Sequence, residues 1–304
     1  MMRKIAIAIH GGAGPDSELI RKNIEGYTSG LEKAIRAGYE ILEAGGSAVE
    51  AVEEAIKLME DDPLFNAGRG SALNNKGEVE MCASIMNGKT KKSGAAAIIK
   101  NVKNPVSLAR YIMEKTEHVL VGGIAASELA IAAGLEPETD AYFVTAHQYD
   151  SFMEERDKKS VTELLKKKMH STVGAVAIDK KGNLAAATSS GGTTNALSGR
   201  IGDSAIVGCG TYANNATCAV SCTGDGEFII GGVIAHAISS AIDLQQYDMQ
   251  QACDFVIHHQ NKDTKGDIGV IGIDSSGNIG ISFNSEHMHR AWISADQPLQ
   301  IKIY

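Results

Sequence analysis

Proline is scarce in this chain, at 5 residues against 33 glycines, and aromatic side chains make up only 5% of it. With 43% hydrophobic residues, that imbalance excludes a disordered linker protein and points to many tight turns and close backbone approaches. Positive charge is also short. A formal net charge of -8 argues against nucleic acid or an acidic membrane as partner, because both demand a concentrated positive field. The best basic cluster, Lys166 to Lys168, sits among Glu154, Glu155, Asp157 and Glu163 and reads as solvated linker. The 5 cysteines, at 82, 209, 218, 222 and 253, include no C-x-x-C pair. Such an odd, irregular set argues against a disulfide framework and suits reduced thiols in the cytoplasm. The N-terminal apolar run, Ile5 to Ile9, is too short for a signal-peptide core or a membrane span and reads as a buried first strand. Low-complexity tracts and convincing tandem repeats are absent.

What is there fills 304 residues, enough for one large or two ordinary domains with a sizeable core. "HGGAG" after the first strand predicts a tight loop. Apolar spacing from Leu19 to Gly45 (Ile20, Ile24, Tyr27, Leu31, Ile35) predicts a helix, and Ser47 caps a second through Met59. Residues 71–101 predict a hairpin turning at Asn75-Lys76-Gly77, then a further strand. "PVSLARYIMEKT" and "GIAASELAIAAGL" predict two more helices. Residues 148–171 lack Gly and Pro and mix both charges around Val161, Leu164 and Leu165, which predicts a mobile or weakly helical connector. Beyond Thr172 the pattern turns to paired strands. "TVGAVAID" and "LAAATSS" flank the Lys181-Gly182-Asn183 turn, and "GDIGVIGID" and "IGISFN" flank "SSGN". Amphipathic helices are predicted from about Ile229 to Leu244 and from Met249 to Gln260. Strands and helices with little βαβ alternation predict an α+β layered fold.

Several familiar motifs fail on their chemistry. "ASIMNGKT" (83–90) has Ala83 for the first P-loop glycine and bulky Ile85-Met86 where a phosphate needs converging N–H groups. "GCGTYA" (208–213) lacks a clear βαβ unit and a downstream acid. "HGGAG" has no G-x-S-x-G elbow beside it. His287 and His289 lack a third zinc ligand at recognisable spacing.

Thr172 is different because other segments make sense with it. It stands where a charged tract gives way to an apolar strand. A threonine hydroxyl is a weak nucleophile without a base, and an N-terminal threonine supplies one in its own α-amine, whose reference pKa is near ~8. A cut before Thr172 would make that terminus. Downstream, "ATSSGG" offers Ser190 as a second hydroxyl, and "SCTGDGE" offers Thr223 followed by Gly224, whose N–H suits an oxyanion. "GRIGDS" supplies Arg200 and Asp203, a cation and an anion suited to the carboxylate and ammonium of an amino acid.

Together "IAIHGGAG", "DDPLFNAGRGSALNNKGEVEM", "TVGAVAIDKKGNLAAATSSGG", "GRIGDSAIVGCGTYANN", "SCTGDGE" and "RAW" resemble the plant-type L-asparaginases, or isoaspartyl peptidases, of the N-terminal nucleophile hydrolases, nearly end to end. The resemblance implies one αββα sandwich over residues 1–304, made as a precursor that cuts itself between Ser171 and Thr172. The products would be an α subunit, 1–171, ending in the 148–171 linker, and a β subunit, 172–304, with two such αβ units forming a dimer. It implies hydrolysis of L-asparagine and β-aspartyl dipeptides with Thr172 as nucleophile and base. Thr223 and Gly224 match the oxyanion positions, Arg200 and Asp203 the substrate clamp with Gly226 lining it, and Asn66 a residue near the nucleophile. The loop before it resembles one whose backbone carbonyls, here Met59, Glu60, Asp62, Phe65, Ala67 and Arg69, hold a structural sodium ion without catalytic duty.

The chain departs from that pattern at five places. Ser171 replaces a frequent glycine, so a side chain is expected to slow self-cleavage. Ser190 replaces threonine and keeps the hydroxyl. Cys82 and Asn87 each replace an aspartate, which is expected to weaken local hydrogen bonding. His287 replaces glycine and is expected to alter a turn or crowd nearby loops. Two other readings stand beside the main one: a glycosylasparaginase-like or Taspase-like specificity, and a relative that keeps the pocket but does not mature.

Overall fold

The computed structural model describes residues 4–156 and 171–304, in which twelve strands form two sheets. The large sheet has the order β12-β11-β1-β5-β6-β2-β3-β4, where β1 is Ala6–Gly14, β2 Met81–Asn87, β3 Ser93–Ile99, β4 Leu120–Gly122, β5 Val173–Ile178, β6 Leu184–Ser190, β11 His287–Ser294 and β12 Gln297–Lys302. The small sheet has the order β10-β9-β8-β7, with β7 Thr211–Ala213, β8 Cys218–Gly224, β9 Ile268–Asp274 and β10 Ile279–Phe283. All pairings are antiparallel except β3 with β4.

The two-residue alternation of a strand sorts side chains onto two faces, and here both faces are covered. Ile7 and Ile9 of β1, Val173, Ala175 and Ala177 of β5, and Ala185 and Ala187 of β6 join a core with helices α2 (Ile24–Glu43) and α3 (Ala48–Glu60). The alternate residues, Ala6, Ala8, Val176, Ile178, Leu184 and Ala186, meet Ala219, Ile271 and Ile273 of the small sheet. The small sheet's other face packs Val220 and Val270 against Ile238 of helix Ile234–Gln245 and Ala252 of helix Met249–Asp254. Each fully buried isoleucine is worth roughly 1.5–3 kcal/mol.

Local chemistry explains several boundaries. The capping box of Ser47 with Glu50 starts α3, and Pro105 occupies the first turn of the helix Pro105–Lys115. The hairpins around 181–183 and 275–278 form as the sequence predicts. "HGGAG", expected as a loop, instead continues β1 to Gly14, because β11 pairs with it across a bulge between His10 and Gly12. The 75–77 turn closes only a single bridge, Leu73 with Val79, and the real hairpin joins β2 to β3. Residues 19–45 hold two helices, Glu18–Lys22 and α2, broken at Asn23. The expected connector begins as helix Ala146–Arg156, while its residues 157–170 lie outside the described residues. The stretch Gly226–Gln245 passes a length and composition test for crossing a membrane, but it breaks at the left-handed Val233. Its Ile229, Ile234, Ala235 and Ile238 are core residues.

Candidate active site

Thr172 immediately precedes β5, the strand held between β1 and β6 in the large sheet, and is only 4% exposed. Its Oγ1 donates to Ser190 Oγ at 3.1 Å, and that oxygen also accepts the Gly192 N–H at 3.1 Å. The peptide ahead of Thr172 is held as well. Asn66 Nδ2 donates to the Ser171 carbonyl at 2.8 Å and to Gly192 O at 2.7 Å, while its Oδ1 accepts from Ala72 N–H at 2.8 Å. Ser171 Oγ donates to Gly11 O at 2.9 Å. Gly12, with φ +125°, leaves the space that Ser171 fills, since a Cβ there would lie 2.0 Å from Ser171 Oγ.

One cleft is lined by Ser171, Thr172, Ser190, Arg200, Asp203 and Gly224. Gly226 borders the Arg200–Asp203 pair, because a Cβ on it would lie 2.9 Å from both Arg200 Nη2 and Asp203 Oδ1. Glu227 binds Arg200 as a fork, accepting from Nε and Nη2 at 2.8 Å each. Thr223 is not part of the cleft lining; its Oγ1 accepts from Ala13 N–H at 3.2 Å. Gly224 must be glycine: its φ is +126°, and a Cβ would lie 2.1 Å from Asp267 O. Cys82 also lines the cleft, with burial raising its thiol pKa. Asn87 keeps the turn chemistry that an aspartate would supply, as its Oδ1 accepts from Lys89 N–H at 3.0 Å and Thr90 N–H at 3.2 Å.

The loop after α3 lies behind this cleft. Glu60 Oε1 accepts from Ser189 Oγ at 2.6 Å and Val106 N–H at 3.0 Å, and burial raises its carboxyl pKa to about 8. The carbonyls of Met59, Glu60, Asp62 and Phe65 each accept a backbone N–H, from Asp62, Arg69, Phe65 and Ala67 respectively. A sodium ion would use their second lone pairs together with Ala67 and Arg69. The loop does crowd carbonyls together: a Cβ on Gly70 would lie 2.3 Å from Phe65 O and 2.8 Å from Pro63 O. Neutral backbone oxygens of this kind are the donor type a hard monovalent cation takes.

Sequence reading missed a polar seam between the sheets. His10 Nδ1 lies 2.8 Å from Thr172 O and its Nε2 lies 2.9 Å from Ser221 Oγ. A carbonyl only accepts, so Nδ1 carries the proton and Nε2 accepts from Ser221. Burial lowers the His10 pKa to about 3, which keeps the ring neutral. Ser221 continues to Thr188 at 2.7 Å, Thr188 to Thr211, and Thr211 to Ser84 at 2.8 Å. The signal in the sequence is hydroxyl residues set inside small, apolar strands ("CASIM", "AAATSS", "AVSCT").

The asparaginase family model matches residues 3–303. The chain belongs to the asparaginase family. It is 42% identical over 300 residues to an isoaspartyl peptidase of Escherichia coli K12, covering 96% of this chain and 93% of that one. To an isoaspartyl peptidase/L-asparaginase of Xenopus laevis it is 41% identical over 309 residues, at 99% and 96% coverage. To a plant-type L-asparaginase of Pyrococcus abyssi it is 42% identical over 306 residues, at 95% and 96% coverage.

Proposed function

We propose that this asparaginase-family chain is a self-processing hydrolase of L-asparagine and β-aspartyl dipeptides, with Thr172 as nucleophile. The observation that carries the reading is the Thr172 Oγ1–Ser190 Oγ hydrogen bond in one cleft with Arg200 and Asp203. In the first step Thr172 Oγ attacks the Ser171 carbonyl carbon. The C–N bond breaks, and the Ser171 acyl group passes to oxygen as an ester that water hydrolyses. The freed amine then serves as base at near-neutral pH. In turnover the same oxygen attacks the side-chain amide or β-aspartyl carbonyl. Ammonia or an amino acid leaves with the transferred proton, and water releases aspartate. Asn66 holds the scissile carbonyl of the precursor, while Thr223 and Gly224 serve the oxyanion in turnover. Arg200 and Asp203, with Gly226, grip the α-carboxylate and α-amine.

Several further parts belong to this reading. The fold is an αββα sandwich of the N-terminal nucleophile type, supported by helices packed outside two facing sheets. Residues 1–171 and 172–304 are the two subunits, joined as a dimer of αβ units; exposed Leu120, Ile124 and Ile131 beside edge strand β4 offer it a face. A structural sodium ion sits on the 59–69 loop. A cytoplasmic location is supported by five buried, unpaired cysteines.

A denaturing gel tests the proposal. Purified protein is expected to yield fragments meeting at 171/172, and Thr172→Ala to stay whole and release no ammonia from asparagine. An intact wild-type chain with no turnover would sink the reading.

A further inference from the structure

A second cavity of similar size meets the cleft at Ser171, and Ser171 and Asn66 both line it. Its body is apolar, with Leu19, Ile20, Leu64 and Tyr27, and one end is closed by His287 and His289. Those imidazoles have no structural duty that explains them. Among the described residues, His289, 2% exposed, has no hydrogen-bond partner on either ring nitrogen, and His287, 5% exposed, has none on Nδ1. The Gly11 backbone interacts with the His289 ring and the Gly14 backbone with the His287 ring. The rings lie 4.7 Å apart between centroids, and Tyr27 packs on His289 at 4.3 Å. Burial lowers the pKa of both, that of His289 to about 3, so each is a neutral donor and acceptor. Buried polar atoms without partners are costly, and a cavity that keeps them invites a ligand with matching groups.

Resting on the function proposed above, we infer that this cavity receives the leaving amino acid of a β-aspartyl dipeptide. The Arg200–Asp203 clamp takes the aspartyl end on one side of the scissile carbonyl, so the leaving group points to the other. There Tyr27, Leu64 and Ile20 would cover an apolar or aromatic side chain, and an imidazole N–H of His287 or His289 would meet the carboxylate. Cutting the 171–172 bond frees Ser171 to leave the wall between the two cavities. The inference makes dipeptides, rather than asparagine, the substrates this chain is built to favour.

The test compares kcat/KM for β-aspartyl-phenylalanine, β-aspartyl-glycine and L-asparagine in matured wild type, His289→Phe and His287→Leu. Wild type is expected to prefer the phenylalanine dipeptide. In His289→Phe, which keeps the ring packed on Tyr27, the dipeptide-to-asparagine ratio is expected to fall about tenfold, as one lost hydrogen bond requires. Its Tm is expected to hold or rise, whereas a merely structural imidazole would lower it. An unchanged ratio in both variants, or asparagine turnover without any dipeptide preference in wild type, overturns the inference and leaves the nucleophile assignment standing. Absence of Thr172-dependent turnover on all three substrates overturns the function itself.

Discussion

The interface between the two sheets has two unlike ends. At one, Ala6, Ala8, Val176, Ile178 and Ile273 form a dry contact with no polar side chain among them. At the other, His10 of β1, Ser221 of β8 and Thr188 of β6 are buried in a hydrogen-bonded chain that starts at the Thr172 carbonyl, and buried Ser190 accepts from Thr172 Oγ1. The apolar end is non-directional: it holds the sheets together but tolerates small shifts. The polar end fixes orientation, because each buried hydroxyl left without a partner costs about as much as a core cavity. The fold thus spends its directional interactions where a nucleophile must be aimed.

Three substitutions should sharpen that contrast. The largest effect is expected from Gly174→Ala, whose Cβ would lie 2.1 Å from both His10 Nε2 and Ser221 Oγ. Displacing the seam by even about 1 Å should slow self-cleavage roughly 100-fold and cost about 1–3 kcal/mol, read on a time-course gel and by denaturant melts. Ser221→Ala removes one link and should cost about 1–3 kcal/mol while also slowing processing. Ile273→Val at the dry end should cost only about 0.5–1.5 kcal/mol and leave processing at the wild-type rate. Equal effects on processing from these two would erase the distinction between the ends.

The smallest expected effect is one of pH. His10 and His289 have folded pKa values lowered to about 3, below the unfolded value near ~6.5. The stability tied to their neutral forms is complete above pH ~6.5 and lost as pH falls toward the folded values. Glu60 acts oppositely. Its folded pKa is raised to about 8 from 4.5, so its contribution is complete below the unfolded value and lost as pH rises through the folded one. Glu60→Gln should therefore gain Tm over wild type between pH 6 and pH 9, by roughly 2–4 °C per kcal/mol. A constant difference across that range would refute the buried, protonated carboxyl.

Much of this was legible in the residues alone. The helix starts at Ser47 and Pro105 and both hairpins beyond Thr172 follow from local chemistry, which needs only near neighbours. β7, β8, β11 and β12 carry no clear strand signal in the sequence. β7 is three residues long, and β8 is buried throughout, so neither shows the alternation that marks a half-exposed strand. β1 was cut short at its glycines because only its partner β11 carries the ladder past the bulge.

The candidate site divides the same way. Sequence by itself determined the hydroxyls, the Arg200–Asp203 pair, the glycines and the break in character at Thr172, since these depend on residue type and order. Only tertiary structure decided that His10, Ser84, Thr188, Thr211 and Ser221, from five strands of two sheets, meet behind Thr172. It alone set Ser171 against Gly12 and left two imidazoles facing a cavity. Alternation along a strand says that two faces exist; which face meets which is fixed by sheet order and packing, and those are contacts between residues far apart in the chain.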